Sequence, residues 1–379
     1  MQPPLPGFDG PWDILRGHAP YLLSVMEKLV EFEFESPDPL DLPSVLNLQP
    51  RRNFSSVEEW QQYLDSEHRL GLSVREVYLR VLLVYVVSDQ GADIPGVRLF
   101  MNHFITRCYE EGILLFHEMQ GIGDPRIIAI ADEGARLAFE ERSEIWSQTG
   151  RRSASTYSVF TVDNVRGRPS ANWYVNSRIA PALSIPLQID GGLTTLVSSM
   201  SSREGIRNVI RQDTKHGMFY ALGEKALDLY IKWIFGTFKL VPEGLGIDPR
   251  NLPIPMDQRV GRVMMRIGFM DELFDMEACI ESGKFLLERN GGPAAKNGDD
   301  GPPRDRVFLR VTDFRRHGRV KADLVPILNL TRPVIMPGRV LAPQIALICL
   351  LRLFSQKMGR SIHPHEFDDM LMNIATICT

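Results

Sequence analysis

The sequence predicts a mainly α-helical protein with small β elements confined to insertions. Apolar residues recur at three- and four-residue spacing along most of the chain. One segment, Ser147 to Asn176, breaks that period with a run rich in Ser, Thr, Gly and Arg. The 379 residues are 44% hydrophobic and 24% charged, which allows a sizeable core in one large domain or a few smaller ones.

A stripe of Tyr21, Leu22, Val25, Met26, Leu29 and Val30 comes first. A Pro-rich connector runs from Pro37 to Pro50. Ser56 with Glu59 has the spacing of a capping box and opens a short helix carrying Trp60 and Leu64. Tyr78, Val81, Leu82, Tyr85 and Val86 form a strong helical stripe, and 99–109 and 133–146 continue in that style. Within the insertion, Ser158-Val159-Phe160-Thr161-Val162 before Asp163-Asn164 predicts a β-hairpin. Helical pattern resumes after Gly192, with Ser201 and Glu204 as a second capping pair. Residues 290–304 are low-complexity and read as a flexible loop; Val307 to Leu309 reads as a short strand. Gln344 to Lys357 is the last strong helix, and no internal repeat is present.

Charge and composition narrow the function. A net charge of −4 and a pI of about 6.1 exclude a wholly electrostatic nucleic-acid binder and require any such contact to use a local basic face. Cys108, Cys279, Cys349 and Cys378 lie far apart, without metal-ligand or close-set iron–sulfur spacing, and read as reduced, buried thiols of a cytosolic protein. Met1-Gln2-Pro3-Pro4 has neither the basic nor the apolar region of a signal peptide. The longest apolar run, 340–354, is interrupted by Pro343, Gln344 and Arg352 and is too short for a bilayer. A cytoplasmic protein away from membranes is expected, nucleoid-associated if the source is prokaryotic.

Two residues carry the chemistry. Lys225 follows a turn-forming segment, His216 to Glu224, and opens a helix with an amine at its start. Asp257 follows Pro253-Ile254-Pro255-Met256 and opens another, whose stripe is Val260, Val263, Met264 and Ile267. Pro255 keeps that approach extended. Ala226, Leu229, Tyr230 and Trp233 predict the buried face of the lysine helix. The positive end of the helix dipole and partial desolvation both disfavour a charged amine, and a neutral lysine attacks carbon. A carboxylate nearby would steady an oxocarbenium-like sugar or help to deprotonate the lysine. Free N–H groups of the turn would hold a phosphate.

These segments resemble the helix-hairpin-helix DNA glycosylase superfamily. Its members place a Lys after a Gly-rich hairpin, in a pattern like L-P-G-X-G-X-K, and an Asp downstream in a V-D-X-X-V-X-R-like motif. Phe219 to Lys225 is similar to the hairpin end, with Gly223 and Lys225 in register, and Met256 to Arg262 to the second motif. The run Pro253-Ile254-Pro255-Met256-Asp257-Gln258-Arg259-Val260 and the long Lys-to-Asp gap resemble the archaeal-type 8-oxoguanine DNA glycosylase family. The resemblance covers about Ser201 to Glu281, with a weaker match through 78–104.

It implies a helix-hairpin-helix glycosylase fold of two helical subdomains with a cleft between them. It implies base excision and β-lyase activity through a Schiff base: Lys225 as nucleophile, Asp257 as its activator, and Pro255 at the substrate pocket. The partner would be damaged double-stranded DNA, bound by a monomer without cofactor or metal, with Lys215, Ala221 and Gly223 on the DNA and the target base flipped out. The implied layout is an N-terminal helical extension over 1–72 and a core over 73–289 with an insertion at 147–176. The loop at 290–304 then leads to a C-terminal helical part over 305–379. The chain departs from the pattern at Ala221, where the family has glycine. It also has Phe100, Phe104 and an aliphatic 345–353 helix where the family stacks the base on tryptophans. Catalytic chemistry therefore transfers better than base identity, with an oxidised purine as the default.

Arg203, Arg207, Arg211 and Lys215 along the preceding helix, and the basic run Arg315 to Lys321, suit phosphate contacts or a solvated surface alike. His363-Pro364-His365 with Glu366 suits a helix start better than a metal site. Lys232 is a second amine that lacks the helix-start setting. Two other readings remain: a non-catalytic helix-hairpin-helix DNA-binding module, and an N-glycosidase acting on a free nucleotide or another base.

Overall fold

The computed structural model describes residues 40–69, 71–88, 94–117, 124–149, 161–162, 169–212, 218, 222–255, 334–336, 339–341, 351, 355 and 359–377. The chain divides into two compact units, Asp38–Leu252 and a second made of Met1–Pro37 with Pro253–Thr379. The described residues are mainly helical, with short two-stranded hairpins as the β structure.

In the larger unit, helix α1 (Val57–Ser66) begins where the capping pattern predicts: the Ser56 hydroxyl accepts from the Glu59 amide at 3.1 Å. Its Trp60 and Leu64 are fully buried. The Trp60 indole donates to the Phe238 carbonyl at 2.8 Å, and its ring stands edge-on to Tyr78 at 5.7 Å between centroids. The boundary expected at 72–73 therefore falls inside this unit, because residues of α1 help to build its core. A hairpin of β1 (His68–Arg69) and β2 (Leu72–Ser73), which local pattern does not reveal, leads into α2.

Helix α2 (Val74–Ser88) is buried along its whole length. Its sequence shows one strong stripe, yet Val, Leu and Tyr occupy the remaining faces too, and a helix apolar all round must be enclosed. Its three charged residues are each engaged. Arg75 binds Asp65 at 2.6 Å and the Leu240 carbonyl. Arg80 binds Glu76 at 2.8 Å and the Phe116 carbonyl at 3.1 Å. Glu76 also accepts from the Leu193 and Thr194 amides at 3.0 and 2.7 Å.

Helices α3 (Ile94–Glu110) and α4 (Arg126–Thr149) lie closely side by side. Gly134 permits the approach, since a Cβ there would sit 3.2 Å from the Phe104 backbone nitrogen. Cys108, the described cysteine, is buried as expected, and desolvation pushes its thiol up to about 12. The expected hairpin is present as β3 (Thr161–Val162) paired antiparallel with β4 (Pro169–Ser170). Helix claims both flanks of the expected insertion: α4 runs to Thr149, and α5 (Asn172–Tyr174) starts directly after β4. From α5 the chain continues through a π-helix (Val175–Ile179), α6 (Ala180–Ser184) and a 3-10 turn (Ile185–Gln188) to α7 (Gly192–Ser199). Helix α8 (Arg203–Gln212) is capped by Ser202, whose hydroxyl accepts from the Gly205 amide at 3.2 Å; the expected cap was its neighbour Ser201.

Of the second unit, the described elements are an antiparallel hairpin of β5 (Val334–Met336) and β6 (Arg339–Leu341), and the helix Pro364–Ile377. That helix lies beyond the segment expected to be the last strong one, of which Leu351 and Ser355 are described. It starts with proline at its first position, and the Glu366 carboxylate accepts from the His363 amide at 2.7 Å. Among the described residues no helix is long and apolar enough to cross a membrane.

Candidate functional site

Lys225 is the second residue of α9 (Glu224–Ile231), half-buried in its first turn. Gly223 caps this helix in an extended conformation, and its carbonyl accepts from the Leu227 amide at 3.0 Å. Its φ of −69° is ordinary for any residue, so backbone strain does not demand glycine here. Among the described residues, a Cβ at Gly223 would meet nothing within 4 Å.

The far end of α9 is anchored in the core. It passes straight into a π-helix (Lys232–Thr237), and the Tyr230 hydroxyl donates to the Leu79 carbonyl of α2 at 3.1 Å. The carbonyls of Phe238, Lys239 and Leu240 accept from Trp60, Gln61 and Arg75. The expected buried face needs one correction. Ala226, Tyr230 and Trp233 are buried, whereas Leu229 is half-buried, and Leu227, Asp228, Ile231 and Lys232 are buried as well. Neighbours on several sides enclose this helix, which a one-face pattern does not express. Lys232, the second amine, is 4% exposed within the π-helix.

The other expected site residues divide in two. Lys215, Ala221 and Asp257 lie outside the described residues, as do the basic run at 315–321 and the helix expected after Asp257. Pro255 is described and buried, next to fully buried Ile254.

Asp228 is the functional-site candidate that the sequence reading missed. It is 1% exposed, and its Oδ1 accepts from Arg203 Nε at 2.5 Å. Desolvation pushes its carboxyl up to about 6, against the opposing pull of Arg203. Arg203 also binds Glu204 at 2.7 Å, Arg207 lies 3.8 Å from Glu204, and Arg211 is 5% exposed with its charge acting on Asp228. Of the arginine row on α8 that suits phosphate contacts or a solvated surface alike, Arg203 is bound to a buried carboxylate and Arg211 is itself buried. The signal was an acid inside the apolar run Leu227 to Ile231, one helix away from arginines that already had another interpretation.

The aromatic pair of α3 and the histidine pair at the Pro364 helix start complete the picture. Phe100 and Phe104 are fully buried, stacked on each other at 5.7 Å and 11° between planes, so neither ring presents a face to a ligand. His363 and His365 stack at 5.7 Å at a helix start, and among the described residues no group of three or more His, Cys, Asp or Glu could hold a metal ion.

Among the described residues, the arrangement supplies a primary amine in the first turn of a helix, an uncrowded glycine cap, and a buried carboxylate one turn on. No protein-family model, curated protein or solved structure matches the chain.

Proposed function

We propose that this chain is a DNA N-glycosylase with AP-lyase activity that removes a modified purine, 8-oxoguanine foremost, from double-stranded DNA. In this reading α8, residues 213–223 and α9 are the helix, hairpin and helix of a DNA-gripping motif. Lys225 attacks C1′ of the damaged nucleotide, and the base departs with the electrons of the glycosidic bond. Opening of the sugar ring turns the adduct into an imine. Loss of a C2′ proton then expels the 3′ phosphate by β-elimination. Asp257 takes the proton from the lysine and steadies the positive charge that develops on the sugar.

The observation that carries this reading is the setting of Lys225. It occupies the first turn of a helix whose other end is anchored by Tyr230 and the π-helix, two residues after a glycine cap that no described residue crowds. A phosphate can approach such a helix start closely, and the N-terminal amides favour it. The resemblance of 253–262 to the family's aspartate motif supplies the second group.

Borohydride trapping on a panel of single-lesion duplexes tests the proposal. The native chain is expected to form a covalent adduct on one class of oxidised purine, Lys225→Gln to form none, and Asp257→Asn to trap slowly while still binding duplex. An adduct that persists in Lys225→Gln refutes the lysine assignment. Duplex binding without base release from any lesion points to a non-catalytic binding module.

A further inference from the structure

Asp228 is a buried carboxylate for which the proposed chemistry has no use. It stands three residues after Lys225 on α9, a spacing at which Cβ atoms lie roughly 5–6 Å apart. Its Oδ1 is held by Arg203 at 2.5 Å, and among the described residues its Oδ2 has no hydrogen-bond partner. A buried carboxylate satisfied at one oxygen costs stability, and an apolar residue of similar size avoids that cost. Arg203 is the first residue of α8, so this ion pair ties together the helices on either side of 213–223.

We propose that Asp228 is a positioning residue for Lys225: held by Arg203, its carboxylate fixes the first turn of α9 against α8 and sets the charge beside the amine. This rests on the reading of Lys225 as the nucleophile. The charged groups around Asp228 are Arg203, Glu204 and Arg211 from α8, with Lys225 and Lys232 three before and four after it on its own helix. From α2, the charge of Glu76 reaches neighbouring Tyr230, but Glu76 is held by Arg80 and by the α7 amides, and Arg75 by Asp65. With its carboxyl raised to about 6, Asp228 is ionised at neutral pH and holds Arg203 as an ion pair. Below that range the pair weakens to a hydrogen bond with a neutral acid.

The test follows two readouts on the full chain between about pH 5 and pH 8. One is reductive methylation of Lys225, read by peptide mass spectrometry without DNA; the other is borohydride trapping on lesion-bearing duplex. The native chain is expected to show a step in Lys225 methylation near pH 6 that reports the Asp228 proton. In Asp228→Asn the step disappears, and trapping slows about ten- to a hundred-fold while duplex binding is retained. In Arg203→Lys the looser pairing moves the step to higher pH, and this charge-conserving variant decides the matter if Asp228→Asn does not fold. Methylation profiles unchanged in both variants overturn the proposal. A chain that never traps DNA, yet shows a step that moves in Arg203→Lys, overturns the glycosylase reading and leaves the positioning role standing. Trapping at Lys225 with an unmoved step does the reverse.

Discussion

At the scale of single residues, two buried acids show how similar chemistry takes opposite roles. Glu76 is surrounded by donors: Arg80, the Leu193 and Thr194 amides, and the Thr194 hydroxyl at 2.8 Å. Gly192 sits against it with φ +70°, and a Cβ there would lie 2.6 Å from Glu76 Oε1. Gly192→Ala combines a left-handed backbone with that clash, so it should lower stability by about 1–3 kcal/mol in thermal or urea unfolding. Asp228 has fewer partners, and its carboxyl is raised from 3.8 to about 6. The folded state therefore binds this proton more tightly than the unfolded chain does. The group's stabilising contribution is complete below about pH 4 and is lost as pH rises through about 6, a change of order 3 kcal/mol. Stability measured across that window, relative to Asp228→Asn, should fall with rising pH; a flat difference would contradict the assigned environment.

Secondary-structure elements were read well wherever the signal is local. Ser56 with Glu59, the stripe of α2, the hairpin at 161–170 and the helix start at Pro364 all rest on contacts within a few residues, and all are present. What local pattern does not carry is how many sides of an element are covered. The α2 stripe reads as one buried face, yet the packing of α1, α7 and α9 around it leaves no exposed one. Residues 57–66 read as part of an extension, yet the Trp60 indole reaches the Phe238 carbonyl across 178 positions. Trp60→Ala should accordingly cost about 3–5 kcal/mol, visible as a lowered denaturant midpoint, whereas a dispensable extension would show almost no change.

At the scale of the whole molecule, the net charge of −4 is spread over a chain whose candidate DNA-facing helix turns two of its arginines inward. On the proposed reading, backbone amides at the start of α9 would then do much of the gripping, with Arg203 and Arg211 withdrawn from displacing counterions. The salt dependence of duplex binding should be shallow, with a log–log slope of magnitude below about 5 in fluorescence anisotropy. A steep slope would point to a basic face elsewhere on the chain.

The sequence by itself determined the helical class, the start of the lysine helix at Gly223 and the caps of α1 and of the helix at Pro364. These depend on periodicity and on hydrogen bonds between near neighbours in the chain. Tertiary structure decided which charges are spent inside. Arg203 is drawn to Asp228 from 25 positions away, because an acid enclosed by packed helices must find a cation, and no local rule says which arginine will reach it.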